Sequence, residues 1–384
     1  MFQDLKNIYH LFQAILANIY YGFPSRRLKV IGVTGTDGKT TTTQLIAHIL
    51  KSSGKKVSFI STVKAVVAGK EYDVGFHVTT PSPFAIQRFL RQSAENGDEY
   101  FVLETTSHAI DQNRVWGIDY ELAVLTNVTH EHLDYHRTYE AYIKTKSRIL
   151  KAAKLAFVNE DDESFNYIKD QKIKLKKTYK IEKIIKENFP DRVRFNQYNY
   201  SAAYSVCNYL GIPDEKIIEA IKKFQLPKGR LELVYDEGFK VMIDFAHTPN
   251  AFQQLLPEVK RMFLKNGGRL IHVFGSAGLR DNTKRPLMGL VSSEYSDDII
   301  LTEEDFRTEK PEEICQQIAS GIKNKKYEII IDREQAIDKA IKMARKGDVV
   351  LLTGKSHEKS LCRGKIEYPW SEHQAVKKAL QTHK

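Results

Sequence analysis

The chain has 384 residues, of which 42% are hydrophobic and 28% are charged. A chain of this length exceeds one ordinary hydrophobic core, so we expect two domains. Its three cysteines are widely separated and form no CxxC pair, which disfavours a disulfide framework and a cysteine-rich zinc site. A reducing, cytoplasmic setting fits this cysteine usage best.

The net charge of +11 is compatible with nucleic acid, an anionic membrane surface or polyanionic small substrates. Lysines concentrate between residues 169 and 186, where they alternate with Ile, Leu and Tyr in a pattern typical of a solvated helix or an edge strand. Neither an arginine-rich arm nor a known nucleic-acid motif is present, so we expect no nucleic-acid partner. No apolar run approaches the roughly 20 residues of a membrane span. We expect a monomer.

The first predicted element is an N-terminal helix. Five apolar residues fall at helical spacing, namely Leu5, Ile8, Phe12, Ile15 and Ile19, with Tyr9 and Leu16 beside them. Gln13 and Asn18 interrupt the apolar run and no small-residue cleavage site follows, which disfavours a signal peptide. We therefore expect a helix that packs on the body of the protein.

A glycine-rich turn follows the first predicted strand. Residues 30–43 read VIGVTGTDGKTTTT, which predicts a buried strand, a turn and then a helix that starts at the threonines. Gly35 and Gly38 allow the backbone to approach an anion, Lys39 adds a charge, and Thr40 or Thr41 offers a hydroxyl to Mg²⁺. The strict phosphate-loop pattern expects glycine where Val33 stands. The segment still predicts a binding site for the phosphates of a nucleoside triphosphate.

Beyond residue 30, apolar β-branched runs alternate with amphipathic segments. Helices are predicted over 40–52, 83–96 and 139–153, and a second alternating series begins near Gly238. This alternation predicts an α/β fold: a P-loop-type ATPase domain with a mostly parallel sheet, followed by a Rossmann-like α/β domain. The predicted divisions are an N-terminal helix and linker over 1–29, a central domain over 30–228 and a C-terminal domain over 229–384.

Candidate metal ligands follow two predicted strands. Glu104 closes the strand in FVLETTSH, at a carboxyl end where carboxylates can serve Mg²⁺; a plain surface carboxylate is the alternative. His130, His132 and His136 follow the next strand, and taken alone they are either surface histidines or a transition-metal site.

Seven segments occur in an order that resembles the Mur ligase family, and within it the ligases that extend UDP-N-acetylmuramoyl-dipeptide. They are GTDGKTTTT, LETTSHAIDQNRVWG, LTNVTHEHLDYH with YIKTKSRIL, GRLELV, IDFAHTPNA, FGSAGLRDNTKRPLMG and GKSHE. The resemblance implies an ATP-dependent ligation. A carboxylate takes the γ-phosphoryl group of ATP, and an amino acid's amine then attacks the acyl phosphate to give an amide and phosphate. Such chemistry needs mostly positioning and charge neutralisation by Mg²⁺, Lys and Arg.

The resemblance assigns roles position by position. It implies catalytic roles for Lys39, Glu104, His132 and Lys146. It implies metal contacts for Thr40, Glu104, His132 and a carbamylated Lys146. ATP contacts are implied for Gly35, Thr36, Asp37, Gly38, Lys39, Thr40, Thr41, Asn127, Arg230, Asp244, His247 and Asn250. Substrate contacts are implied for Thr79, Thr80, Ser107, Arg114, Arg307, Lys355 and Glu358.

Two departures from the family pattern limit the expected substrate. The phosphate loop begins near residue 30, so we expect that the usual uridine-nucleotide-binding N-terminal domain is lacking. In that case UDP is held by other surfaces, a partner supplies the site, or the substrate carries a different handle. Ligases selecting meso-diaminopimelate carry Asp-Asn-Pro-Arg where this chain has Glu304, Asp305, Phe306 and Arg307. Arg307 retains the ability to clamp an α-carboxylate, and Glu358 is placed to hold a distal ammonium. Diaminopimelate and lysine both remain open as the amino acid.

Three functions are compatible with these residues. The first is a ligase of peptidoglycan-precursor synthesis that joins an amino acid to a UDP-muramoyl-dipeptide-like acceptor. The second is a folylpolyglutamate or cyanophycin-type ligase of the same superfamily. The third is a nucleotide-binding subunit whose catalytic activity has decayed.

Overall fold

The computed structural model describes residues 2–73, 79–129, 131, 133–264 and 267–382. The chain divides into two compact units, Met1–Gln225 and Leu226–Lys384. Each unit is an α/β layer structure, as the alternating pattern predicted. The finer division into 1–29, 30–228 and 229–384 stays a prediction.

Unit 1 contains an eight-stranded sheet. Its strands are β1 (Lys29–Thr34), β2 (Val57–Ile60), β3 (Ala65–Val67), β4 (Lys70–Tyr72), β5 (Tyr100–Glu104), β6 (Tyr120–Leu125), β7 (Leu155–Asn159) and β8 (Lys176–Tyr179). The strand order is β4-β3-β2-β5-β1-β6-β7-β8, and the pairs from β2 to β8 are parallel. β1, β5 and β6 therefore lie side by side at the centre, and their carboxyl ends meet at one edge.

Helices cover both faces of this sheet, which buries the central strands on both sides. They are α1 (Phe2–Tyr21), α2 (Lys39–Ser52), α3 (Pro83–Glu95), α4 (Ser107–Asp111), α5 (Leu133–His136), α6 (Tyr139–Ala152), α7 (Phe165–Ile168), α8 (Lys183–Asn188), α9 (Arg194–Tyr209) and α10 (Asp214–Lys223). One core packs α2, α9 and α10 against the sheet, and the other packs α3 and α6. The three helices predicted for this region agree with α2, α3 and α6 to within one residue.

The ends of these helices follow from local chemistry. Ser82 and Thr138 cap α3 and α6 by accepting hydrogen bonds from the backbone N–H groups of Ala85 and Ala141. Pro83 stands at the first turn of α3, where no hydrogen bond to its nitrogen is needed. The lysine-rich segment contributes β8, an edge strand whose lysines, including the exposed Lys177, disfavour pairing with a further strand.

Unit 2 contains a six-stranded sheet and a hairpin. The strands are β9 (Glu232–Glu237), β10 (Phe239–Asp244), β11 (Leu270–Phe274), β12 (Asp298–Leu301), β13 (Lys326–Ile329), β14 (Val349–Thr353), β15 (Ser360–Arg363) and β16 (Ile366–Pro369). The helices are α11 (Pro249–Phe263), α12 (Lys284–Tyr295), α13 (Pro311–Ala319), α14 (Arg333–Met343) and α15 (Glu372–Thr382). The sheet order is β13-β12-β11-β14-β10-β9, and β9 alone runs antiparallel to its neighbour. β15 pairs with β16 as the hairpin.

The N-terminal helix forms as predicted, but it packs through a different face. Ala14, Ala17 and Asn18 are buried against unit 1, whereas the apolar stripe that includes Leu5 and Phe12 faces outward. The expected packing of this helix on the body of the protein is therefore confirmed, but the packed face is the one opposite the apolar stripe. Small residues permit a close approach of the helix, and hydrogen bonds from its polar side chains hold it there.

Candidate active site

The glycine turn between β1 and α2 forms the centre of the candidate site in unit 1. Gly35 has a φ of 152°, and a Cβ there would lie 1.8 Å from Oγ1 of Thr126. Gly38 has a φ of 80°, and a Cβ there would lie 2.2 Å from Oδ1 of Asn199. Both positions therefore require glycine, for backbone conformation and for space. Val33, the off-pattern residue, is buried within β1 and does not take part in the turn.

Asn127 and Thr126, which follow β6, hold the turn. The backbone N–H of Asp37 donates to Oδ1 of Asn127 at 2.8 Å, and Nδ2 of Asn127 donates to the carbonyl of Asp37 at 3.2 Å. The hydroxyl of Thr126 donates to that carbonyl at 2.7 Å. Asn127, assigned to the nucleotide by resemblance, thus has a direct role in shaping the turn.

Lys39 begins α2 and folds back over the turn. Its Nζ donates to the carbonyl oxygen of Thr36 at 2.6 Å. The amine is therefore at the mouth of the turn, beside the N–H groups of a helix N-terminus, which is the arrangement that attracts phosphate. Thr40 and Thr41, the next two residues, are both buried.

Glu104 ends β5 beside the threonine of α2. Its carboxylate accepts from the hydroxyl of Thr40 at 3.0 Å and from both the N–H and the hydroxyl of Thr62 at 2.8 Å. Oxygen donors on neighbouring elements thus converge at one buried point, and such donors suit Mg²⁺. Among the described residues no cluster of three or more His, Cys, Asp or Glu side chains is placed to hold a metal. His132, the predicted imidazole ligand, lies outside the described residues, as does His130.

Lys146 lies on the buried face of α6, one turn after Tyr142. Its Nζ donates to the carbonyl of Gly35 at 2.6 Å and lies 4.4 Å from the centre of the Tyr142 ring. Burial lowers the pKa of Lys146 well below its usual value, and the nearby charge of Lys39 lowers it further. The amine is therefore held in a setting that favours its neutral, nucleophilic form.

The four predicted substrate residues of unit 1 lie beside this cluster. The hydroxyl of Thr79 accepts from Thr62 at 3.2 Å, and the hydroxyl of Thr80 donates to the carbonyl of Glu104 at 3.1 Å. Arg114 donates to the carbonyl of Thr80, and Ser107 lies 2.9 Å from Nε2 of His136. Burial, with a contribution from Lys146, lowers the pKa of His136 to about 4, so its imidazole is neutral near pH 7.

Unit 2 gathers a second group of predicted residues at the end of β10. The carboxylate of Asp244 accepts from the N–H groups of Leu231 at 2.6 Å and Ala246 at 2.8 Å. Burial raises the pKa of Asp244, and the charge of Arg230 opposes that rise. Arg230 stacks over the Phe245 ring at 4.5 Å.

His247 and Asn250 follow at the start of α11. Thr248 caps that helix by accepting from the N–H of Ala251, so Asn250 stands in its first turn. Lys284 donates to the carbonyl of His247 at 2.9 Å. Three of the ATP-binding residues predicted for unit 2 therefore lie between the end of β10 and the first turn of α11. The fourth, Arg230, precedes β9 and joins them through its contact with Phe245.

A charged cluster in unit 2 contains the predicted amino-acid site. Nζ of Lys355 contacts Oδ1 of Asp305 at 2.7 Å and Oε2 of Glu358 at 2.6 Å. Burial lowers the pKa of Lys355, but Glu358 and Asp305 outweigh it, so the net pKa is raised. Lys355 is thus ion-paired with Asp305 and Glu358, and its charge is already neutralised within the protein.

Arg307 and Glu304 complete this cluster. Arg307 adopts a left-handed φ of 53° and donates to the carbonyl of Gly278. The Glu304 carboxyl is buried, which raises its pKa, and among the described residues no hydrogen-bond partner for its Oε2 is found. Asp305 accepts from the N–H of Cys362 at 2.9 Å. Its charge therefore serves Lys355 and the local backbone.

Three residues that support the site were not predicted from the sequence. Thr62, after β2, binds Glu104, and Thr126 binds the turn. Asn199, on α9, presses against Gly38 and accepts from the hydroxyl of Thr42 at 3.4 Å. Thr62 and Thr126 follow strand ends, which is a usable signal. Asn199 is 161 positions from Gly38 by residue number, and no local pattern points to it.

The chain matches two sequence families over most of its length. Residues 33–220 match the Mur ligase middle domain, and residues 229–356 match the domain described as "Mur ligase, glutamate ligase domain". A 2,6-diaminopimelate ligase from Aquifex aeolicus, named as acting on UDP-N-acetylmuramoyl-L-alanyl-D-glutamate, is 38% identical over 390 aligned positions, covering 95% of this chain and 80% of the relative. The correspondingly named ligase 1 of Clostridium acetobutylicum is 36% identical, covering 90% of this chain and 76% of the relative.

Comparison with solved structures finds the same fold in related ligases. A UDP-N-acetylmuramoyl-L-alanyl-D-glutamate–2,6-diaminopimelate ligase is 28% identical with a TM-score of 0.59, covering 92% of this chain and 78% of that one. A folylpolyglutamate/dihydrofolate synthase from Yersinia pestis has a TM-score of 0.71 at 19% identity, covering 90% and 92%, and shows the fold alone. Fold and sequence together define an ATP-dependent amide ligase. The chain belongs to the Mur ligase family, as the sequence segments predicted.

No helix among the described residues is long and apolar enough to cross a membrane.

Proposed function

We propose that the protein joins an amino acid, 2,6-diaminopimelate in the first instance, to the peptide carboxylate of a UDP-N-acetylmuramoyl-dipeptide-like acceptor, using ATP. One observation carries the proposal: the glycine turn, Lys39, Glu104 and the buried Lys146 converge in unit 1. The choice of acceptor and amino acid rests on the names of relatives that are 35–38% identical over most of this chain.

The acceptor carboxylate attacks the γ-phosphorus of ATP and releases ADP, which leaves an acyl phosphate. The amine of the incoming amino acid then attacks the acyl carbon. The tetrahedral adduct expels phosphate and becomes the amide. In this scheme the turn's N–H groups and Lys39 hold the β- and γ-phosphates in line with the attacking oxygen.

The residues present fit a magnesium site. Thr40 and Glu104 offer hydroxyl and carboxylate oxygens at one buried point, and His132 is the further ligand implied by the family. Mg²⁺, when bound, neutralises charge on the transferring phosphoryl group. A carbamate on Lys146 would convert this buried amine into an additional carboxylate, and the depressed pKa of Lys146 supplies the neutral amine that adds CO₂.

Arg307 and Glu358 are proposed to receive the amino acid. A guanidinium binds a carboxylate with two parallel hydrogen bonds, so Arg307 suits the α-carboxylate. The buried Glu304 carboxyl, whose Oε2 has no hydrogen-bond partner among the described residues, offers a further acceptor to an amino acid with a second, cationic end. Both diaminopimelate and lysine have that feature, so both belong in the assay.

The test is a ligation assay read by mass spectrometry. ATP, UDP-muramoyl-dipeptide and diaminopimelate should together give an amide product and phosphate, whereas omission of any one should give neither. Lysine and other amino acids, and folate as the acceptor, complete the panel. A product with folate and none with the muramoyl acceptor would contradict the proposal.

Lys39→Ala tests the phosphate-binding role of the turn. It should reduce ATP turnover at least about a thousandfold, because a lost phosphate-stabilising charge in a water-excluded site costs several kcal/mol. Lys51→Ala, in the last turn of the same helix, is the control and should turn over normally, since Lys51 is exposed.

A further inference from the structure

The outer face of α1 is an exposed apolar surface, which we call the α1 stripe. Its seven members are Leu5, Ile8, Tyr9, Phe12, Leu16, Ile19 and Tyr20, with exposed fractions from 42% to 77%. At ~100° per residue they span about 120° of the helix circumference. Contiguous apolar surface of this kind marks an interaction site.

The stripe is not the result of a loosely attached helix. The opposite face of α1 is buried through Ala14 and Ala17, and Asn18 donates to the carbonyl of Trp116 at 2.9 Å. Asn7 donates to Asp111 at 3.0 Å, and Gln3 donates to the hydroxyl of Tyr135 at 2.6 Å. The helix is therefore docked, and its large apolar residues remain outside.

The spacing of the stripe is symmetric about Phe12. Seven apolar positions of α1 are exchanged with one another when i is replaced by 24 minus i; Ile15 belongs to this set, whereas Tyr20, whose counterpart is Asp4, does not. The pairs are Leu5 with Ile19, Ile8 with Leu16, Tyr9 with Ile15, and Phe12 with itself. An antiparallel pair of identical helices related by a two-fold axis near Phe12 would thus place these seven apolar side chains opposite one another. A two-fold interface needs this self-complementarity, and an unrelated partner does not.

Area and charge are consistent with self-association. Seven large side chains with these exposures present roughly 800 Å², which is close to the ~800 Å² that each partner buries in a standard interface. None of the seven is charged, so two chains of net charge +11 can meet there without like charges inside the seam. We propose that the α1 stripe is a two-fold dimer interface in which α1 pairs antiparallel with α1 of a second copy. The monomer expected from the sequence is the alternative that the experiments below distinguish.

The first experiment measures the mass of the full chain in solution. Light scattering and sedimentation across a wide concentration range should show a dimer. Phe12→Glu should raise the dimer dissociation constant at least about tenfold, because two carboxylates would face each other in an apolar seam. Lys6→Glu, an exposed change on the same helix but off the stripe, should remain dimeric. All three should give the same far-UV circular dichroism spectrum, since the Phe12 side chain is exposed and its replacement leaves the packed face of α1 intact. At high concentration the two dimers should melt above Phe12→Glu, because association stabilises the folded chain.

A second experiment tests the antiparallel geometry. The three native cysteines are buried, so single introduced cysteines can be oxidised selectively with copper phenanthroline. Phe12→Cys should crosslink to itself, and a mixture of Leu5→Cys with Ile19→Cys should crosslink as a mixed pair. Leu5→Cys alone and Lys6→Cys alone should not crosslink.

Two results would overturn the proposal. One is a monomer at every concentration together with no crosslinking of Phe12→Cys. The other is a monomeric chain that co-sediments with phosphatidylglycerol vesicles in a manner that Phe12→Glu abolishes, which would assign the α1 stripe to a lipid surface.

Discussion

The buried Nζ of Lys146 donates a hydrogen bond of 2.6 Å to the carbonyl oxygen of Gly35, 111 residues earlier in the chain. This contact joins the face of α6 to the glycine turn after β1. It also places an amine of depressed pKa at the centre of the candidate site.

Lys146 should carry a carbamate in the active enzyme. With ¹³C-bicarbonate present, the wild type should show a carbamate carbon resonance, and Lys146→Ala should lack it and lose at least about a hundredfold in kcat. A short carboxylic acid such as acetate or formate should restore part of that activity. Lys144→Ala, exposed on the same helix, serves as the control. Full activity of Lys146→Ala would contradict the assignment.

Gly38→Ala should destabilise unit 1 more than an ordinary glycine substitution. Gly38 and Gly54 have nearly equal φ values, 80° and 82°, but a Cβ meets Asn199 at Gly38 and nothing within 4 Å at Gly54. Gly54→Ala should therefore cost ~1–2 kcal/mol from backbone strain alone. Gly38→Ala should cost at least ~1 kcal/mol more, from overpacking.

Denaturant unfolding measures both glycine variants. Adding Asn199→Ala to Gly38→Ala should recover the difference, because the clashing oxygen is gone. Equal losses for the two glycine variants would show that Asn199 does not confine the turn.

Glu104→Gln should weaken the binding of Mg²⁺ to the active site without unfolding the chain. The amide keeps the shape of the carboxylate but removes the charge that a divalent cation needs. The Mg²⁺ concentration for half-maximal turnover should rise about 10–100-fold. Glu95→Gln, exposed on α3, should leave the Mg²⁺ titration unchanged. An unaltered titration for Glu104→Gln would place the metal elsewhere.

Arg307→Ala should act on the amino acid alone. Losing a bidentate carboxylate contact should raise the KM for the amino acid at least about tenfold, with the KM for ATP unchanged. Arg261→Ala, an exposed arginine on α11, provides the comparison. A parallel rise in the KM for ATP would mean that Arg307 supports the fold of unit 2 and not the amino acid specifically.

His272 should make unit 2 sensitive to acid. The imidazole is fully buried between the hydroxyls of Ser292 and Thr353, and burial lowers its pKa to about 3. The unfolded chain therefore binds more protons than the folded one between about pH 3 and 6.5, so stability falls as pH drops through this window. The slope from one such group is up to ~1.4 kcal/mol per pH unit.

Fluorescence of Trp370 measures this slope. The chain has two tryptophans, Trp116 in unit 1 and Trp370 in unit 2, so Trp116→Phe leaves the signal to unit 2. In that background, His272→Gln should flatten the dependence of the unfolding free energy on pH between 7 and 5. An unchanged slope would show that His272 does not titrate on unfolding.

Much of the architecture was predictable because its causes are local. The helix after Gly38, the caps at Ser82 and Thr138 and the buried β-branched strands are readable from neighbouring residues. The family segments added the identity of Glu104 and Lys146. The orientation of α1 was not readable, because a helical stripe shows which residues share a face and not which face finds a partner.

By itself, the sequence determined the α/β class, the glycine turn and the membership in the Mur ligase family, since these follow from short-range patterns and ordered motifs. Tertiary structure alone decided that Lys146 reaches Gly35, that Asn199 confines Gly38 and that the apolar stripe of α1 points outward. The physical reason is the same in each case. These contacts depend on how distant helices pack on the sheet, and packing is set by the fit of whole surfaces that no local window of sequence contains.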